Sequence, residues 1–438
     1  MNIRIAIASD LHVMAPELLI APGAAFERTL RSDRKLLVES TEIISQLTQQ
    51  LLQQNIDLVL IPGDLTKDGE RVSHQLTAQL LQPLLDAGIR TYVVPGNHDI
   101  YNPLAAEYDG DERRHTDYVS PEDFAQIYAA YGYGTDATDI IERGPRLSYL
   151  AEPLPGLWVC ALDSNIYDTN IEDNYPRTIG KLTPETHDWI REVGLRAKRE
   201  GKRLLTMLHH GVLEHFPLQS VVAADYLLED WLHDSRKLAA AGMEVVFTGH
   251  FHAQDVVCRR FKHGTLYDIE TGSPVTYPCP YRIVTLHDDR LEVTSHRIQL
   301  QGEVTGGLPL EEYAYRHLQE GIPGMGAFLT EYVLRRHPKY MTPQIAQTIN
   351  AAIPDFVDLI MAIYTGHLCG DEMGLQYSKT REESFNDPLP GDKLDQLRNL
   401  AKAMYPQYEL LFDIFENALY DTSVPDNNLT IPLTPLQS

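Results

Sequence analysis

The sequence predicts a layered α/β protein with a smaller helical module at its C-terminal end. Three observations predict it. Short β-branched runs alternate with longer helical patterns in the first half of the chain, and short strands without long helices follow from Thr265 to Arg297. A glycine-rich turn, Gly302 to Gly307, then leads into stretches of helical pattern. Strand–helix–strand alternation is the signature of parallel pairing, because parallel neighbours need a long crossover connection.

Taken in order, Ile3 to Ala8 and Leu58 to Ile61 read as buried strands. Between them, Arg34 to Gln53 places Leu36, Leu37, Ile43, Ile44, Leu47 and Leu51 at helical spacing. Leu76 to Ala87 repeats that pattern before the next strand, Thr91 to Val94. The insert from Tyr101 to Asp139 carries tyrosines at 108, 118, 128, 131 and 133. It reads either as a lid that stacks on a nucleobase or as a subdomain packed on its own tyrosines. Leu157 to Leu162, Leu204 to Leu208 and Val245 to Thr248 are further buried strands. Tyr281 to Leu286 and Leu291 to Arg297 are expected to complete a second sheet.

The expected division is 1–304 for the α/β domain and 305–438 for the helical one. The helical candidates are Leu310 to Arg336, Pro343 to Tyr364 and Lys393 to Tyr420, punctuated by Pro323, Gly324, Pro338, Pro354 and Gly366. Thr422 to Ser438, rich in Pro and Asn, is expected as an extended or loose arm. His367, Asp371 and Glu372 near Cys369 lack regular ligand spacing, so a solvated loop is the plainer reading. The module is expected to serve dimerisation or to cover one edge of the site.

Bulk properties exclude whole classes. With 438 residues the chain exceeds a single small core. The net charge of −25, from 62 acidic against 37 basic residues, repels long polyanions and anionic membrane. It does not exclude a small phosphate substrate, because bound cations reverse the local field. Cys160, Cys258, Cys279 and Cys369 form no CxxC pair, which argues against a thiolate metal site or a disulfide framework. The N-terminal apolar run is short and ends at Asp10, unlike a signal peptide, and no stretch reaches the ~18 apolar residues of a span. A soluble, cytoplasmic protein is the expectation.

Five segments share one feature: an apolar strand ends and metal-ligand residues follow at once. They are Ser9-Asp10-Leu11-His12, Gly63-Asp64, Gly96-Asn97-His98-Asp99, His209-His210-Gly211 and Gly249-His250-Phe251-His252. In α/β sheets, ligands gather beyond the carboxyl ends of strands, so five such strands in one sheet would aim these groups at a common point. Asp10 with His12, and His250 with His252, are i,i+2 pairs that would share one side of an extended backbone. Carboxylate, imidazole and amide oxygen without thiolate suit Mn²⁺, Fe, Zn²⁺ or Mg²⁺, and the histidine share points to a transition metal. Each piece alone is common; Asn97, for example, also suits a turn. Their conjunction at five strand ends is what carries the metal reading.

These blocks resemble, in content and order, the D-x-H, G-D, G-N-H-D, H and G-H-x-H signatures of the calcineurin-like metallophosphoesterase superfamily. The resemblance covers residues 1 to about 300. Within it, Gly63-Asp64-Leu65-Thr66, followed by Gly69-Glu70, is similar to bacterial class III cyclic-nucleotide phosphodiesterases, one larger branch of which carries a C-terminal helical domain. The longer G-D-x-x-D-R-G block of phosphoprotein phosphatases is absent, since Asp68 is out of register and no arginine follows. The resemblance implies a four-layer sandwich of two mixed sheets flanked by helices. It also implies two divalent ions, Mn²⁺ and/or Fe with Zn²⁺ possible. Asp10, His12 and His252 would hold the first ion, Asp64 would bridge, and Asn97, His209 and His250 would hold the second. The strand-end position favours His209 over His210, which would then line the site.

The implied reaction is attack of a metal-bridging hydroxide on a small phosphodiester such as a 3′,5′-cyclic nucleotide. His98 is the candidate acid for the leaving group, and Asp99 either orients it or closes the turn. Arg71 and Arg113 could reach the site from loops, but the blocks themselves contain no arginine or lysine, which favours diesters over monoesters. Competing readings are a broad phosphomonoesterase or nuclease on the same centre, and a non-catalytic scaffold. The acidic charge counts against the nuclease, and the complete ligand set with His98 counts against the scaffold.

Overall fold

The computed structural model describes residues 2–134, 138–320, 365–370 and 424–436. Among the described residues, sixteen strands form three sheets. In chain order they are β1 (Ile3–Ile7), β2 (Leu19–Ala21), β3 (Leu58–Pro62), β4 (Arg90–Val94), β5 (Ala106–Asp109), β6 (Glu112–His115), β7 (Ile140–Arg143) and β8 (Tyr149–Leu154). The rest are β9 (Leu157–Ala161), β10 (Arg203–Met207), β11 (Val245–Thr248), β12 (Asp255–Phe261), β13 (Gly264–Glu270), β14 (Pro280–Leu286), β15 (Arg290–Arg297) and β16 (Asn428–Pro432). Helices α1 (Ala24–Ser32), α2 (Ser40–Leu52), α3 (Arg71–Asp86), α4 (Pro121–Ile127), α5 (Asn170–Asp173), α6 (Pro184–Arg199), α7 (Gln219–Val222) and α8 (Trp231–Ala240) connect them.

The two large sheets run β16-β15-β14-β1-β3-β4 and β12-β13-β11-β10-β9-β8-β7. Each is mixed. The parallel runs β1-β3-β4 and β9-β10-β11-β13 are continued by antiparallel strands. Alternation along the second sheet shows the layering. Leu157, Val159, Ala161, Leu205, Met207 and Phe247 join Ile5, Ile7 and Leu60 in the core between the sheets. Trp158, Cys160, Leu204, Leu208 and Val246 point the other way, onto Ile190, Val193 and Leu238 of α6 and α8. A strand buried on both faces is a continuous apolar run, which is why these segments were legible as strands. Helices α2 and α3 pack on the first sheet through Ile43, Ile44, Leu47, Leu81 and Leu84. The result is helix, sheet, sheet, helix, as the resemblance implied.

Two expectations about the sheets need correction. The five ligand-bearing strands lie not in one sheet but in two: β1, β3 and β4 in the first, β10 and β11 in the second. The 265–297 region does not build one second sheet, since β13 pairs with β11 while β14 and β15 pair with β1 and each other. Apolar periodicity identifies a strand but carries no record of which neighbour it chooses. The tyrosines of the insert are packing residues, not a lid: Tyr108, Tyr128, Tyr131 and Tyr133 are buried, and Tyr118 is half-buried against Tyr101.

Helix α2 starts at Ser40, later than expected, because Leu36 is tied in a loop to the Val275 carbonyl. Helix α3 starts earlier, at Arg71, its first turn holding the buried Ser73 and His74. The tail is an arm: β16 pairs antiparallel with β15 at the sheet edge. Residues 310–320 and 365–369 are helical. The remainder of Leu310 to Arg336, the helices expected at Pro343 to Tyr364 and Lys393 to Tyr420, and Asp371 and Glu372 lie outside the described residues. His367 is buried beside Asp255 rather than in a solvated loop. Among the described residues no helix is long and apolar enough to cross a membrane.

Candidate metal centre

The loops after β1, β3, β4, β10 and β11 meet where the carboxyl ends of the two sheets come together. Backbone bonds stitch them within each sheet: Asp10 N to the Gly63 carbonyl at 3.0 Å, His12 N to the Asp64 carbonyl at 3.0 Å, and Gly249 N to the His209 carbonyl at 3.0 Å. Between the sheets, His209 Nδ1 lies 2.9 Å from the Pro62 carbonyl, and the His250 N–H donates to the Asp10 carboxylate. Two glycines permit this approach. A Cβ on Gly96 would stand 2.1 Å from Asp64 Oδ1, and one on Gly249 would stand 1.9 Å from Ser9 Oγ.

Asp10, His12, Asp64, His250 and His252 have φ of 58°, 40°, 48°, 76° and 67°. The i,i+2 pairs are therefore not extended, as the spacing suggested, but lie in left-handed turns. Non-glycine residues adopt that region at a cost of order 1 kcal/mol each, and such strain persists where the surroundings over-determine it.

The side chains converge in two overlapping groups. In the first, His12 Nε2 is 3.1 Å from His252 Nε2, and His252 Nε2 is 3.3 Å from Asp10 Oδ1. In the second, His209 Nε2 is 3.4 Å from Asp64 Oδ2 and 3.0 Å from Asn97 Oδ1. Asp64 also stands 3.6 Å from His12 Nε2, so its carboxylate reaches both groups. Asp10 with His12 and His252, and Asp64 with His209 and His250, each place one donor atom apiece within 4.8 Å of the others. Ligands about 2.1 Å from one ion stand roughly 3.0–3.4 Å apart, so this donor set fits divalent metal. The outer nitrogens are fixed as ligating histidines require: His209 Nδ1 on the Pro62 carbonyl, His250 Nε2 on the Asp225 carbonyl at 3.1 Å.

The donors' ionisation is set by burial and by one another. Burial works to raise the Asp64 carboxyl, but the imidazoles of His209, His98 and His12 hold it well below the carboxylate range. Burial opposes protonation of His209, and the Asp64 carboxylate overcomes it, raising the imidazole to about 9. Burial, then the Lys35 ammonium, keep His12 neutral and able to donate a lone pair.

His98 lies at the rim, with Nε2 4.0 Å from Asp64 Oδ2 and a quarter of its side chain exposed. Its Nδ1 is held by the Lys67 carbonyl at 2.7 Å and Asp68 Oδ1 at 3.1 Å. Asp68, then, orients His98, and sequence reading missed that role. Asp99 instead closes the turn: its buried carboxylate accepts from Gly96 N, Leu65 N, Thr66 N and Thr66 Oγ1 at 2.8–3.1 Å. Lys35, paired with Asp33 at 3.4 Å, was also missed; its charge acts on both His12 and His98. Its signal in sequence was nil, because it sits between the ligand blocks.

His210 turns away from the donor groups. Its Nδ1 accepts from Ser164 Oγ and its Nε2 donates to the Thr178 carbonyl, both at 2.8 Å. Arg71 forks onto Asp123 at 2.7 and 3.0 Å, and Arg113 donates to the Leu104 carbonyl, so both are engaged away from the donor groups.

The family model for calcineurin-like phosphoesterases matches residues 3–254, more than half of the chain. A probable cyclic nucleotide phosphodiesterase of Vesicomyosocius okutanii is 35% identical over 65 residues, 15% of this chain and 27% of that protein. This chain thus matches about a quarter of that relative's length. Among solved structures, a dimetal phosphatase from Danio rerio is similar, with TM-score 0.48, 15% identity and coverage of 67% of this chain and 95% of that one. A purple acid phosphatase from yellow lupin (Lupinus luteus) seeds is similar with TM-score 0.39, 11% identity and coverage of 70% and 52%. On the strength of the family match, the chain belongs to the calcineurin-like phosphoesterases.

Proposed function

We propose that the chain is a dinuclear phosphodiesterase of 3′,5′-cyclic nucleotides or related small phosphodiesters. The observation that carries the dinuclear reading is Asp64, whose carboxylate is shared by the two donor groups. In this reading Asp10, His12 and His252 would hold one ion, Asn97, His209 and His250 would hold the other, and Asp64 would serve both. Nitrogen and oxygen donors without sulfur suit Mn²⁺ and Fe, with Zn²⁺ also accommodated. Bound there, such ions would supply Lewis-acid chemistry, lowering the pKa of water and offsetting charge on the phosphoryl oxygens.

The chain's own groups do the rest. His98 faces the centre through Nε2 and gives its proton to the leaving ester oxygen, while Asp68 and the Lys67 carbonyl fix its ring through Nδ1. The backbone N–H of His98 donates to Asp64 Oδ1 at 2.9 Å, so the acid and the bridging carboxylate move as one unit. Asp99 and the Thr66 hydroxyl set the turn that presents both.

Three observations favour a small diester. A diester carries less charge than a monoester, and neither Arg71 nor Arg113 reaches the donor groups. The net charge of −25 disfavours long nucleic acid. The Vesicomyosocius relative is named as a probable cyclic nucleotide phosphodiesterase. The test is a hydrolysis panel in Mn²⁺ with cyclic AMP, cyclic GMP, bis(p-nitrophenyl) phosphate and p-nitrophenyl phosphate. Turnover of the diesters at higher kcat/KM supports the proposal; hydrolysis of the monoester alone ends it.

A further inference from the structure

A second set of buried charges lies behind the loops that carry His209 and His250. The ring of His215 is fully buried, six residues beyond His209. Its Nδ1 stands 3.2 Å from Asp255 Oδ2, and its Nε2 stands 3.2 Å from Asp268 Oδ2 and 3.5 Å from Glu270 Oε2. All three carboxylates are buried too.

Two of those carboxylates hold the backbone and side chains around the metal centre. Asp268 Oδ2 accepts from Val212 N at 2.7 Å and Leu213 N at 3.0 Å, on the loop just after His209 and His210. Its other oxygen accepts from Thr248 Oγ1 at 2.6 Å, two residues before His250. Glu270 Oε1 accepts from Ala253 N at 3.1 Å, the residue after His252. His367, from the C-terminal region, reaches the same cluster, its Nδ1 3.9 Å from Asp255 Oδ2 and its ring 5.1 Å from Phe251, between His250 and His252.

Three buried carboxylates this close would repel one another unless a cation stood between them. Burial opposes a charge on His215, but Asp255, Asp268 and Glu270 overcome it and hold the imidazole protonated well above its ordinary range. Among the described residues these donors do not converge as a metal-holding group, whereas those of the centre do. Asp255 stands on the Nδ1 side of the ring and Asp268 and Glu270 on the Nε2 side, at ion-pair distances rather than in aligned hydrogen bonds, so an imidazolium there joins the three by charge.

We propose that His215 is a positioning residue of the metal centre, bridging Asp255, Asp268 and Glu270 so that the loops of His209 and of His250 and His252 hold one relative placement. The inference rests on the metal-centre reading above.

The test is calorimetric titration of metal-stripped protein with Mn²⁺, alongside thermal melting. The parent is expected to bind two ions. His215→Gln is expected to weaken Mn²⁺ about 10- to 100-fold, the range for outer partners of ligands, with kcat at saturating Mn²⁺ within about threefold of the parent. Thr248→Val removes one hydrogen bond from Asp268 at nearly constant volume, and is expected to weaken Mn²⁺ in the same direction by a smaller factor. It also serves should His215→Gln not fold. Leu51→Ala, buried at the C-terminal end of α2 against the other large sheet, is expected to lower Tm and leave Mn²⁺ affinity unchanged. Parental affinity in His215→Gln, or in Thr248→Val if the first does not fold, overturns the proposal. An equal loss in Leu51→Ala overturns it too, because the effect would then be general destabilisation. A parent that binds fewer than two ions overturns the metal-centre reading first, and this inference with it.

Discussion

Gly96 is where one methyl group would do most damage to the centre. A Cβ there would stand 2.1 Å from Asp64 Oδ1 and 2.3 Å from Asp64 N. Ordinary contact begins at 3.4 Å, so Oδ1 would have to retreat by the difference, 3.4 − 2.1, or about 1.3 Å. Neither side can yield freely. The Asp64 carbonyl accepts from His12 N, Asp64 Oδ1 accepts from His98 N at 2.9 Å, and Gly96 N donates to Asp99 Oδ2 at 2.8 Å. Metal sites tolerate about 0.2 Å in ligand distance, so a retreat of this size takes Asp64 out of reach of both ions. Gly96→Ala is therefore expected to lose about 1–3 kcal/mol of stability by overpacking and at least ~100-fold in Mn²⁺ affinity. Gly302→Ala is the control, because its backbone is extended and a Cβ there meets nothing within 4 Å. Calorimetric titration with Mn²⁺ and scanning calorimetry read both effects. A folded Gly96→Ala protein that binds two ions with parental affinity would refute the account of the Asp64 turn.

Three further outcomes are expected. His98→Ala keeps two Mn²⁺ per chain but loses about 10²- to 10⁴-fold in kcat on a diester, and parental turnover would remove His98 as the acid. His209→Ala lowers the Mn²⁺ stoichiometry to about one ion, whereas His210→Ala, whose ring is held by Ser164 and Thr178, keeps two; the reverse pattern in elemental analysis would exchange their roles. His74 is buried and neutral in the fold, its pKa lowered to about 3 by burial against an ordinary 6.5. Between those values the unfolded chain holds a proton that the folded one lacks, so stability falls as pH drops through 6.5 toward 3. At pH 5 the His74 share is about 2 kcal/mol. His74→Gln should therefore narrow the Tm difference between pH 7 and pH 5; an unchanged difference would contradict this.

The strands and the ligand residues were legible for one physical reason each. Strands such as Leu157–Ala161 are buried on both faces, so their apolar runs stand out. The ligand blocks stand out because acid, amide and imidazole follow directly on strands whose ends must be polar. What stayed hidden depends on long-range choices. The partition of strands between two sheets follows from β14 adding beside β1 across 280 residues of chain, which no local pattern records. The left-handed turns at Asp10, His12, Asp64, His250 and His252 are imposed by neighbouring loops, because these residue types do not themselves require positive φ. Asp68 looked like a misplaced phosphatase acid and proved to hold His98, four residues beyond Asp64 and thirty before its partner. Lys35 had no signal because its neighbourhood with His12 exists only in three dimensions. The insert's tyrosines were ambiguous for the opposite reason: their amphipathic rings suit a core and a nucleobase equally, and the core took them.

The dependence of diester hydrolysis on two ions that share Asp64 follows from the proposed function. It is tested most directly by titrating metal-stripped protein with Mn²⁺ while following bis(p-nitrophenyl) phosphate hydrolysis. No turnover is expected without metal, and full turnover only as the second ion per chain binds, with Asp64→Ala inactive throughout. Full turnover in excess chelator, or at one ion per chain, would contradict it.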